Sequence, residues 1–95
     1  MLYAVICTDK PNSVDKRMSM RPDHVKFLEA MGDRLKAAGP FMDDSGNPSG
    51  SLLIVEASNR DECLAITQED PYAEGDLFES VEIRPWNWVF KNPEG

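Results

Sequence analysis

The chain has 95 residues, enough for one domain (1–95) with a modest core, and 41% of them are apolar, which excludes a disordered polymer. Ten basic against seventeen acidic side chains give a formal charge of −7, so no nucleic-acid partner is expected, because a phosphate backbone needs a concentrated basic face. No run reaches the roughly 18 apolar residues of a membrane helix, and no membrane partner is expected either.

Leu2 to Thr8 is a nearly continuous apolar run that reads as a central strand, with a turn in Asp9–Asn12. Ser13 to Met20 has no clear pattern. Pro22 suits the first position of a helix, and Val25, Leu28, Met31, Leu35 and Ala38 continue from it at helical spacing, so a helix is predicted from Pro22 to Ala38, stopped by Gly39-Pro40. Gly32 in mid-helix costs about 1 kcal/mol against alanine, for which close packing on a sheet is the simplest reason. Phe41-Met42 is expected as a short edge strand, "DDSGNPSG" as a turn, and Ser51–Ala57 as a second central strand. Asn59 followed by Glu62 caps a second helix that ends before "EDPY", and Leu77–Ile83 alternates as a last strand.

This order predicts an α+β fold of the ferredoxin-like β-α-β-β-α-β type, with a parallel central pair and both helices on one sheet face. The uncovered face is apolar, so a second copy is the expected cover: a homodimer, with Trp86, Trp88 and Phe90 adding to the interface.

His24 is the single histidine. It precedes Leu28 by four residues and Met31 by seven, so its ring shares their stripe and points toward the sheet. Buried without a partner it would cost about 1–3 kcal/mol. A carboxylate on one ring nitrogen fixes the tautomer and leaves the other nitrogen to exchange a proton. On topology Asp9, at the end of the first strand, is nearest; Asp70 and Asp44 fall toward the other end. Arg17 and Arg21 make a positive spot suited to a carboxylate or phenolate, or else pair with neighbouring acids.

Cys7 and Cys63 read as buried free thiols, which points to a cytoplasmic location. One histidine and two separated cysteines make a clustered metal site improbable. No glycine loop or nucleophile elbow is present, so neither a phosphate site nor covalent catalysis is expected.

"MLYAVICTDKPNSVDKRMSMRPDH", "AAGPFMDDSGNPSGSLLIVEA" and "DPYAEGDLFESVEIRPW" resemble the YciI-like (YCII-related) proteins over essentially the whole chain. The resemblance implies a ferredoxin-like domain in a dimeric α/β-barrel type of sheet-to-sheet association. It also implies a histidine–aspartate active centre, carried onto His24 and Asp70, with Asp9 at a second acidic position and Arg17 and Arg21 before the histidine. The expected function is a cofactor-independent enzyme performing lyase, isomerase or elimination chemistry on a small anionic molecule, aromatic or enolic. The alternative is a binding or accessory protein whose His–Asp pair is structural.

Overall fold

The computed structural model describes residues 1–93. Four strands form one sheet in the order β2-β3-β1-β4, where β1 is Leu2–Asp9, β2 Leu35–Met42, β3 Pro48–Glu56 and β4 Phe78–Trp86. Among these residues three α-helices connect them, α1 Val14–Ala30, α2 Arg60–Gln68 and the short α3 Pro71–Glu74, with a single 3-10 turn at Gly32–Arg34 leading into β2. This is the α+β, ferredoxin-like arrangement.

Two expectations about the sheet are corrected. The central pair is antiparallel: β1 runs against β3, with Val5 opposite Leu53 and Cys7 opposite Ser51. The parallel strands are β1 and β2, and β3 is inserted between them. The sheet is also open, with β2 and β4 as its two edges. The chain therefore closes no barrel, contrary to the expected barrel-type architecture.

Alternation in β1 sends Tyr3, Val5, Cys7 and Asp9 to the buried face. There they meet Leu53 and Val55 from β3, Ile83 from β4, Met31 after α1, and Cys63 and Ile66 from α2. Both helices thus cover one face, as the pattern predicted. On the other face Leu2, Ala4, Ile6 and Leu52 are half-buried, and Trp86 lies opposite Leu2 and tilts against Trp88. Phe90 is exposed.

The first helix departs most from the reading. It begins eight residues before Pro22, which lies within it, and it ends at Ala30. Its inward face carries Arg17 and His24, seven residues and two turns apart, where an apolar stripe would ordinarily stand. Periodicity therefore becomes visible only from Val25 onward. Gly32 is not packed against anything; it takes a left-handed φ of +57° just after the helix and turns the chain into β2. Gly39-Pro40 lies inside β2, an edge strand, where a residue without an N–H is tolerated.

The second helix starts as expected. Asn59 accepts from the Glu62 N–H at 2.8 Å, and the Glu62 carboxylate accepts from the Ser58 N–H at 3.1 Å. Because β3 is antiparallel to β1, α2 returns to the end of the sheet where β1 stops. Its last turn delivers Asp70, Pro71 and Tyr72 beside Asp9.

Candidate functional site

Asp70 caps α3: its Oδ1 accepts from the Tyr72 N–H at 2.9 Å, and Pro71 at the first helical position holds the turn. The same oxygen lies 2.9 Å from His24 Nδ1. An acceptor in that place receives a hydrogen bond from Nδ1–H, so the neutral ring carries its lone pair at Nε2. Nε2 has no hydrogen-bond partner among the described residues. His24 is 8% exposed and Asp70 is buried.

Asp9, the acid favoured by topology, does not reach His24. It receives Arg17 in a two-point contact, Nε to Oδ2 at 2.7 Å and Nη2 to Oδ1 at 3.1 Å. Nη2 also donates to Ser51 Oγ at 2.7 Å. Assigning Asp9 to the histidine followed directly from treating the central strands as parallel, which placed the end of α2 at the wrong edge of the domain. Asp44 is exposed in the β2–β3 turn.

Between the two ion pairs stands Tyr72. Its ring is stacked on His24 with centroids 4.0 Å apart and planes 15° from parallel, and the Arg17 guanidinium sits 4.5 Å from its centroid. Arg17 is only 4% exposed. Burial acts to lower its pKa, but hydrogen bonding and charge from Asp9 outweigh this and hold it above the ordinary arginine range. Burial pushes the Tyr72 phenol upward, with Arg17 opposing and Asp70 adding to the rise. Burial likewise drives the Cys7 thiol, beneath the same cluster, up to about 12.

These groups open onto a cleft of about 320 Å³ between α1 and the β2–β3 hairpin. His24, Tyr72, Arg17 and Arg21 supply polar groups, and Leu28, Leu53 and Pro40 are among its apolar walls. A cavity of that size suits one small ring system. Arg21, exposed at the rim, is the cleft arginine that is not tied to an acid among the described residues. No group of three or more His, Cys, Asp or Glu side chains among the described residues is placed to hold a metal. No helix among them is long and apolar enough to cross a membrane.

Sequence reading missed Tyr72 as a member of the site. The signal was present in "DPY": a helix whose cap is the histidine's partner necessarily brings its second residue beside the imidazole.

Comparison with known proteins agrees with the resemblance seen in the sequence. The YCII-related domain model matches residues 1–87. The chain belongs to the YCII-related family. It is 36% identical over 98 residues to protein YciI of Escherichia coli O6:H1, covering 95% of this chain and all of that protein. An uncharacterized protein of Haemophilus influenzae is 32% identical at the same coverage. Among solved structures, 5-chloro-2-hydroxyhydroquinone dehydrochlorinase from Burkholderia phenoliruptrix, in complex with 2,5-dihydroxybenzoquinone, superposes with a TM-score of 0.85. It is 28% identical and covers 97% of this chain and 99% of that one. A NIPSNAP-family protein of Agrobacterium tumefaciens, 17% identical with a TM-score of 0.57 over 97% of this chain and 95% of that one, shares the fold alone. This YCII-related chain therefore carries a buried His–Asp pair and resembles, over 97% of its length, an enzyme crystallised with a small oxygenated ring.

Proposed function

We propose that this YCII-related protein is a cofactor-independent acid/base enzyme for a small, anionic, cyclic enol or phenol. The observation that carries the reading is the His24–Asp70 pair: His24 lines the cleft, is closed at Nδ1 by a buried carboxylate, and has no partner at Nε2 among the described residues. His24 accepts a proton from the bound molecule, and Asp70 holds the ring and stabilises the imidazolium that forms. The electron pair left behind moves into the ring system. It then either expels an anionic leaving group, which is elimination, or takes the proton back at another carbon, which is isomerisation. Arg21 meets the negative charge of the ligand. Arg17 and Asp9 hold the floor of the site, and their role is positional.

Support comes from the dehydrochlorinase, whose name describes an elimination from a chlorinated hydroxyhydroquinone and whose structure holds a dihydroxyquinone. The test is turnover of a panel of halogenated and unsubstituted hydroxyhydroquinones by the native chain and by His24→Asn, whose amide can still donate to Asp70. A drop of roughly 10²–10⁴-fold with unchanged thermal unfolding supports the reading. Equal turnover by the two proteins defeats it. Asp70 Oδ1 also caps α3, which favours the second reading, a binding protein with a structural pair. That reading is chosen if the panel binds tightly and nothing is converted.

A further inference from the structure

Tyr72 is 1% exposed, yet its hydroxyl has no hydrogen bond among the described residues. Among those residues, no fully buried side-chain nitrogen or oxygen lacks a partner. The hydroxyl must therefore reach accessible space, and the space that Tyr72 lines is the cleft in front of His24. Its ring is held in place, because the imidazole stacks on it and the guanidinium lies over it. An otherwise sealed phenol is thus fixed with its single polar atom toward the place a ligand would occupy. Leaving such a donor unpaired in an occupied, dry site would cost about 1–3 kcal/mol, so a ligand that fits must offer an acceptor there.

We infer that Tyr72 is a direct ligand of the bound molecule, its hydroxyl donating to a ring carbonyl or enolate oxygen while His24 exchanges the neighbouring proton. This rests on the acid/base reading above and narrows the substrate class to enolisable cyclic carbonyl compounds, hydroxyquinones among them. When Nε2 takes a proton from the carbon next to the carbonyl, or from a hydroxyl conjugated with it through a C=C bond, the freed pair runs onto the carbonyl oxygen. The phenol keeps its own proton and strengthens its hydrogen bond to the developing charge. Burial raises the Tyr72 pKa, which keeps the phenol in the donating form. Arg21 lines the same cleft, and its charge acts to lower the Tyr72 pKa.

The probe is 2,5-dihydroxybenzoquinone, titrated by visible absorbance into the native chain, Tyr72→Phe and His24→Asn. The phenylalanine variant keeps the stacked ring and removes only the hydroxyl, so a purely packing role would leave affinity unchanged. The expected result is a loss of roughly tenfold to a hundredfold. Tyr3 and Tyr72 are the two tyrosines of the chain, so labelling Cζ with ¹³C gives two resonances, with Tyr3 as the internal control. The Tyr72 signal, identified by its absence from Tyr72→Phe, should move on saturation while Tyr3 stays. An unmoved Tyr72 signal in the saturated complex, or undiminished affinity of Tyr72→Phe, overturns the inference and leaves the His24 reading standing. No binding of the probe by the native chain overturns both.

Discussion

Removing the Arg17 guanidinium tests whether this side chain is a strut or a free anion contact. Arg17→Met keeps most of the side-chain volume but withdraws two hydrogen bonds from Asp9 and one from Ser51. Both members of the pair are 5% exposed at the side chain, so the Asp9 carboxylate would be left buried without its cation. Breaking one half of such a pair costs about 3–5 kcal/mol, and losing the contact over Tyr72 adds about 1 kcal/mol or less. Against a total stability of about 5–15 kcal/mol this is severe but survivable. Urea unfolding followed by circular dichroism, with a slope of roughly 1.5 kcal/mol/M, should show the midpoint falling by about 2–4 M. The double variant Asp9→Leu with Arg17→Met removes both charges. Because an apolar pair often substitutes for a buried ionic one at little cost, it should regain most of the loss. A single variant that loses under about 1 kcal/mol, or a double variant no better than the single, would refute the strut and return Arg17 to the substrate side of the cleft.

Asp70→Ala removes both the cap of α3 and the imidazole's partner and should lose about 2–4 kcal/mol, whereas Asp70→Asn keeps an acceptor and should lose about 1 kcal/mol or less by thermal or urea unfolding. Any turnover found on the hydroxyhydroquinone panel should nevertheless fall roughly 10²-fold or more in Asp70→Asn; full activity there would show that the charge of Asp70 is idle. The Cys7 thiol is raised to about 12 in the folded chain, so folding binds its proton more tightly. Stability from this group is complete below an unfolded pKa of about 9 and drains away at about 1.4 kcal/mol per pH unit as pH rises from there toward 12. Urea midpoints at pH 8 and 10 should therefore converge in Cys7→Ala relative to the native chain, and an unchanged difference would count against it. Gly50 lies opposite Thr8, and a Cβ there would run into the Cys7 carbonyl oxygen. Gly50→Ala should lose about 2–3 kcal/mol in the same unfolding assay, and a native midpoint would show that the two central strands can part without cost.

Much of the fold was legible because the residues that carry it are apolar and periodic: β1, β3, and α2 behind its Asn59–Glu62 cap. The first three turns of α1 were not, because the face they bury is Arg17 and His24, and hydrophobic periodicity cannot report a buried face made of charged and titratable groups. Pro22 then looked like a beginning when it is an interior residue. His24 was found for a sound reason, its spacing to Leu28 and Met31. Its partner was misplaced because strand direction is a non-local property: no residue of β3 states whether β1 beside it runs the same way. The resemblance to relatives pointed to Asp70 where topology had pointed to Asp9.

The two buried ion pairs differ in one respect that decides how each contributes to the chemical reading. The Arg17–Asp9 pair closes on itself and on Ser51, leaving nothing of Asp9's partner for chemistry except a cation laid over Tyr72. The His24–Asp70 pair is closed only at Nδ1, because Asp70 divides one oxygen between the ring and the Tyr72 backbone. Tyr72 joins them: the cation of the closed pair lies over its ring, and the imidazole of the open pair stacks on it. The fixed pair is therefore what allows a lone histidine, on a helix that runs through a proline, to line the cleft with one nitrogen unpaired among the described residues.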